Sequence, residues 1–268
     1  MDLVTVTCDR DFRQMLLQAE SIQKFLDPCT HWVIVNEEGA DPSKWREALS
    51  PYYTNHNLKL LTHTDFEKYM YVNWPHRPDN KWKPNGWFTQ QIIKLMIHKF
   101  CMCDYLVLDT KCFFIKPTTL SMWDNITCSG TTFSGDLWQN TSLEYSKYFH
   151  TEVLPKYSMG PPFRMEYNVL NTFLFWEDIG NILYFTDNTS VLSPSEFIFY
   201  SYLEKLLDKK QVLFDESKQW IVMNTAQMDK ASLYTTEDYI FGLHWTIISE
   251  VKDDINPWLT HLGFKFQF

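Results

Sequence analysis

The first half of the chain alternates between two hydrophobic periods. Leu3-Val4-Thr5-Val6-Thr7 is short and rich in β-branched residues, which predicts a first strand. Phe12, Met15, Leu16, Ala19, Ile22 and Phe25 recur at steps of three and four, which predicts a helix over 11–25 packed through those positions. Asp9 or Asp11 is its expected cap, and Pro28 lies past its end. Residues 31–36 and 58–62 read as second and third strands. A helix is expected from Gly86 to Phe100, with Ile92, Ile93, Met96, Ile97 and Phe100 inward. Tyr105-Leu106-Val107-Leu108 is a fourth strand, short and apolar enough to be buried. Strand, helix and strand in turn imply an α/β domain with a mainly parallel central sheet flanked by helices.

The second half is less regular. Residues 126–133 predict a strand and 143–154 a helix, while 168–175 and 182–185 are weaker apolar segments. Residues 196–209 read as an amphipathic helix, with Ser193-Pro194-Ser195-Glu196 as its start signal. Residues 212–214 and 241–245 suggest late short strands or turns. Between Tyr69 and Gly86 stand Pro75, Pro78 and Pro84 with Trp74 and Trp82. This is too proline-rich for a helix and reads as a long ordered loop, either a wall or lid of a site or a surface excursion.

Composition narrows the class. The 268 residues are 45% hydrophobic and 21% charged, which fits one large packed domain, 1–268, and not a disordered chain. Aromatic residues reach 17%, more than a core alone requires, so some are expected to line a cleft where sugars stack on flat rings. The formal charge of −9 argues against a nucleic-acid partner or an anionic membrane surface. No apolar run approaches the roughly 18 residues of a membrane span, and no signal peptide is visible. Cys8, Cys29, Cys101, Cys103, Cys112 and Cys128 form no disulfide framework, and Cys101-Met102-Cys103 lacks a second pair at zinc spacing. They read as reduced thiols of a cytoplasmic protein, in which the sequons at Asn125, Asn140 and Asn188 are chance matches.

The chemistry gathers where the fourth strand ends. Asp109 follows the apolar run directly, and open α/β sheets bind ligands beyond the carboxyl ends of their strands. Asp109 either meets a metal or ribose there or caps the following turn. Lys111, two residues on, either stabilises a diphosphate or neutralises Asp109. Glu196 begins a helix, where the helix dipole alone explains a carboxylate, or it acts on a substrate. His244, in Gly242-Leu243-His244-Trp245, is either a hydrogen-bonded core histidine or a ligand.

Several stretches together resemble a bacterial and phage group of GT-A glycosyltransferase-like proteins. Thr5-Val6-Thr7-Cys8-Asp9-Arg10-Asp11-Phe12 with Glu20-Ser21-Ile22 is similar to the group's opening strand, polar loop and helix. Gly86-Trp87-Phe88-Thr89-Gln90-Gln91-Ile92-Ile93-Lys94-Leu95 resembles its Gln-Gln helix. Leu108-Asp109-Thr110-Lys111, followed by Phe114 and Pro117, resembles its Leu-Asp-x-Asp strand end, with Lys111 in place of the second acid. Ser195-Glu196-Phe197 with Tyr200 resembles its Ser-Glu-Tyr motif. The likeness covers about residues 2–120 and 193–203.

The resemblance implies a glycosyltransferase that moves a sugar from a nucleotide-sugar donor to a hydroxyl acceptor such as a glycan. Residues 1–120 would form the nucleotide-binding half and 121–268 the acceptor-side half. It implies Thr7, Asp9, Arg10, Asp11, Gln91, Lys94 and Asp109 as donor-binding residues. Glu196, as base, and Lys111 would be the catalytic pair. Asp109 and His244 are the candidate ligands of a Mn or Mg ion. Such ions take oxygen ligands and a protonated lysine offers none, so Lys111 implies a metal that is weak or dispensable. The same substitution supports an alternative, a catalytically inactive GT-A-like domain that binds glycan or nucleotide.

Overall fold

A computed structural model describes residues 1–70, 85–124, 136–154, 162–173, 195–209, 221–223, 239–243 and 248–268. Its centre is a five-stranded sheet. β1 (Asp2–Thr7) pairs in parallel with β2 (Thr30–Val35), and β2 with β3 (Asn57–Thr62). The chain then passes through a short α3 (Glu67–Met70) and returns past β1, so that β4 (Tyr105–Asp109) lies in parallel on its other side. Two short strands come next in sequence. β5 (Cys112–Phe114) leaves this sheet, while β6 (Phe163–Met165) closes its edge antiparallel to β4. The spatial order is β3-β2-β1-β4-β6. The strand order therefore reverses at β1 and β4, and that is where an open sheet leaves a crevice beyond its carboxyl ends.

Leu3, Val4, Leu106, Val107 and Leu108 are fully buried, because a parallel sheet is covered on both faces. On one face, Val4, Val6 and Val107 meet α4 (Asn85–Met96), α6 (Asp136–Tyr148), α7 (Tyr167–Phe173) and α8 (Glu196–Leu206) in a single apolar cluster. On the other face, α1 (Phe12–Phe25) and α2 (Pro42–Leu49) pack on β2 through Met15, Ala19, Val33, Val35 and Trp45. A second, smaller sheet lies beyond α1. Its order is β5, then β8 (Ile240–Leu243), then β7 (Ile221–Met223). A last helix, α9 (Ile248–His261), places Ile255, Trp258 and Leu259 against Leu17, Phe113 and Ile115.

That second sheet explains the main departure from the sequence pattern. The expected inward face of α1 held Phe12, Leu16 and Phe25, but these are only half-buried. Leu17 is buried, as are the polar Gln14, Gln18, Glu20 and Ser21. A helix covered on two sides buries polar residues too, provided each finds partners. Glu20 shows how: its carboxylate accepts the backbone N–H groups of Lys265 at 2.6 Å and Phe266 at 2.8 Å. Asp11 occupies the N-cap position of α1, yet its side chain makes no cap bond.

Other boundaries also moved. The helix expected from Gly86 to Phe100 stops at Met96, and a short α5 (His98–Cys101) follows it. The helix expected over 143–154 starts at Asp136 and ends at Tyr148. The segment near 168 is helical. The helix at Glu196 is not amphipathic: it is buried from Glu196 to Glu204, as befits a helix wrapped by neighbours. The sequence reading did not anticipate α2, β6 or α9. The expected strand over 126–133, most of the proline-rich loop, the segments at 182–185 and 212–214, Cys128 and His244 lie outside the described residues.

Candidate functional site at the strand-order reversal

The carboxyl ends of β1 and β4 stand side by side, with Val6 opposite Asp109. Around them four charged side chains meet from three elements. Lys94 on α4 extends its ammonium between two carboxylates, 3.2 Å from Asp109 Oδ1 and 2.9 Å from Glu196 Oε1. Lys111 takes the other oxygen of Asp109, Oδ2, at 3.2 Å. The inner pair is the drier one: the side chains of Lys94 and Glu196 are 4% and 6% exposed, that of Asp109 27%. The α4 backbone is held as well, since Tyr105 Oη donates to Lys94 O at 2.6 Å.

Burial and charge oppose each other here, and charge prevails. Burial pulls the Lys94 ammonium towards its neutral form, but the two carboxylates raise its pKa above the ordinary lysine value. Burial alone would raise Asp109, yet Lys94 and Lys111 hold its carboxyl well below the usual carboxylate range. Asp109 raises Lys111 against a smaller effect of burial. These shifts keep Lys94, Asp109 and Lys111 charged in the neutral range.

The turn that carries Asp109 and Lys111 is fixed from beneath by α1. Gln18 Nε2 donates to the carbonyls of both Asp109, at 2.9 Å, and Cys112, at 2.6 Å. Gln18 Oε1 accepts from Thr5 Oγ1 at 2.8 Å. Thr5 Oγ1 lies 3.0 Å from His31 Nε2, and His31 Nδ1 lies 2.7 Å from Tyr53 Oη. Because the threonine proton is committed to Gln18, His31 must donate through Nε2, and Tyr53 must donate to Nδ1. Burial pushes His31 down to about 3, which keeps this ring neutral as that tautomer requires. Thr110 Oγ1 adds a bond to Val6 O at 3.2 Å.

The remaining candidates stand at varied distances from this chemistry. Gln91 is buried on α4, one turn before Lys94. Thr7, at the end of β1, has a buried hydroxyl with no partner among the described residues. Asp9 spends its carboxylate on α2, accepting from Trp45 Nε1 at 3.2 Å with Lys44 at 3.7 Å, and its backbone N–H donates to Glu37. Arg10 is 57% exposed and lies 3.3 Å from Asp11. The first loop therefore brings polar groups to the reversal point, but Asp9 faces α2 and Glu37, and Arg10 lies beside Asp11.

A divalent ion fits this donor set poorly. Each oxygen of Asp109 already faces an ammonium group, and a cation placed there would have to displace one of them. Among the described residues no group of three His, Cys, Asp or Glu side chains converges as a metal site. Sequence reading named Asp109, Lys111, Lys94 and Glu196, which lie together here, but not Gln18, Thr5 and His31. It also missed Asn36, whose amide donates to Gly86 O at 2.7 Å and accepts from Thr89 at 2.8 Å, fixing the start of α4. The one signal was a helix with glutamines and a serine on a face that propensity would leave to solvent.

Neither a family model nor a curated protein sequence matches the chain. Among solved structures, mouse xyloside xylosyltransferase 1 in its apo form is similar in fold. The TM-score is 0.55 at 7% identity, over 91% of this chain and 97% of that one. The chain thus has a GT-A-like α/β fold. No described helix is long and apolar enough to cross a membrane.

Proposed function

We propose that the chain is a glycosyltransferase that moves a sugar from a nucleotide-sugar donor to a hydroxyl acceptor, with a metal contribution that is weak or dispensable. The observation that carries this is the convergence of Lys94, Asp109, Lys111 and Glu196 at the reversal of strand order. The donor's diphosphate lies beside the end of β1 and Asp109, where the Thr7 hydroxyl has no partner among the described residues. Lys111 is the cation that stabilises the leaving diphosphate, and no coordination shell is needed for it to act. Lys94 holds the Asp109 and Glu196 carboxylates in place. Glu196 gives Oε1 to Lys94 and turns Oε2 to the acceptor, orienting the hydroxyl and taking its proton as the glycosidic bond to the diphosphate breaks.

The buried ion pair of Glu196 also favours a second reading, a domain that binds a nucleotide-sugar without turnover, because a carboxylate buried against an ammonium serves the structure of the site as it stands. One experiment separates the two. Release of nucleoside diphosphate is measured across a panel of nucleotide-sugars, with EDTA and with Mn, for wild type and Lys111→Ala. The proposal expects turnover that falls at least about tenfold in Lys111→Ala and changes less on chelation. Binding without release supports the second reading. Absence of binding to any donor overturns both, and activity abolished by EDTA and restored by Mn overturns the role given to Lys111.

A further inference from the structure

Far from the charge cluster, at the opposite end of β4, the chain holds two thiols together. Cys101 is the last residue of α5, and Met102 ends that helix in the left-handed region at φ 50°, ψ 29°. A non-glycine residue there reverses the chain sharply. The turn leaves Met102 68% exposed and brings the flanking cysteines together. Cys101 Sγ donates to Cys103 O at 3.5 Å, so the first thiol folds back onto the residue that carries the second. Both are half-buried and neither is in a disulfide. Two residues of chain span at most about 7 Å when extended and less in a turn. A disulfide takes a Cα separation of about 4.4–6.8 Å, and two residues in a turn have the reach for it.

We propose that Cys101 and Cys103 form a dithiol site for thiophilic electrophiles, which closes to an intramolecular disulfide when the electrophile is a low-molecular-weight disulfide. Cys101 is the attacking sulfur. The Cys103 thiol, by hydrogen-bonding to it, lowers its pKa below the ordinary cysteine value, whereas Cys103, chiefly through giving that bond, is raised. The Cys101 thiolate attacks one sulfur of the small disulfide, forms a mixed disulfide and expels one thiolate. Cys103 then loses its proton, attacks the Cys101 sulfur and expels the second thiolate. The protein gives up two electrons and two protons, and the small disulfide leaves as two thiols. A monosubstituted trivalent arsenical is captured by the same pair, with both S–H protons leaving on its oxygen as water. Two sulfurs suffice for such an electrophile, whereas a structural zinc site needs four ligands.

The position gives the site a consequence. Asp104 follows directly, and it ties three elements together: its carbonyl accepts Asp2 N at 3.0 Å, and its carboxylate accepts Arg164 Nη2 at 2.6 Å and Tyr167 N at 2.9 Å. The dithiol therefore adjoins a junction of β1, β6 and α7, while the Asp109 cluster lies a full strand away, about 16 Å at 3.3 Å per residue.

The test uses the reduced full chain and needs no knowledge of its substrate. One equivalent of phenylarsine oxide is added, and intact mass and peptide mapping follow. A single adduct bridging Cys101 and Cys103 is expected, lost in Cys101→Ser and in Cys103→Ser. Oxidised glutathione should give a species lighter by two hydrogen atoms, mapped to the same peptide. Bridging at another cysteine pair, separate capping of each thiol, or an unmodified wild-type chain overturns the proposal. Peptide mapping on the wild type decides the matter even if a serine variant fails to fold.

Discussion

Lys94→Met is the most revealing single change. It removes a buried ammonium and keeps an unbranched side chain of similar length on α4. Glu196, 6% exposed, then loses the partner that stands at 2.9 Å, while Asp109 keeps Lys111 at 3.2 Å. Breaking a buried pair by removing one member costs about 3–5 kcal/mol, because the remaining charge is uncompensated. Unfolding entropy of about 2.1 cal/mol/K per residue gives about 0.56 kcal/mol/K over 268 residues, so Tm should fall by about 5–9 °C. Glu196→Gln in the same background removes the stranded charge, and the double variant should recover more than half of the loss. Urea unfolding of wild type, both single variants and the double variant closes the cycle and yields the coupling energy. A Lys94→Met protein within about 1 kcal/mol of wild type would refute the claim that this ammonium holds the site together. So would a double variant no more stable than Lys94→Met.

Two further outcomes follow from the same geometry. Asp109 has a folded pKa below its unfolded value of about 3.9, so its contribution is present above that value and lost as pH falls through the lower folded one. The difference in stability between wild type and Asp109→Asn should therefore be constant near neutrality and shrink below about pH 4, and a difference independent of pH down to 2 would contradict the pairing. Thr5→Val leaves both His31 Nε2–H and Gln18 Oε1 buried without partners and should cost about 1–3 kcal/mol in urea unfolding, whereas Thr5→Ser restores the hydroxyl and most of that loss. Equal stability of the valine and serine variants would mean that the hydrogen-bond chain does not support the Asp109 turn.

The sequence by itself determined the local elements of the first half. Runs such as Leu3 to Thr7 and Tyr105 to Leu108 read as buried strands, and the alternation with helices implies a mainly parallel sheet. It also singled out Asp109 and Lys111 at the end of an apolar run and Glu196 at a helix start, and the resemblance to GT-A glycosyltransferase-like proteins added Lys94. It did not reveal that Lys94 would bridge Asp109 and Glu196, since the latter lies 102 residues away in the chain. Periodicity reports which face of an element is apolar but not what covers the other faces. Hence the burial of Gln18 and Glu20, and the all-round burial of α8, appeared only when the second sheet, α9 and the neighbouring helices were in place. Strand order is tertiary in the same sense. Whether the strand ending in Asp109 lies beside β1 or at a far edge depends on how the chain returns after β3. Only that crossover turns a charged strand end into a site.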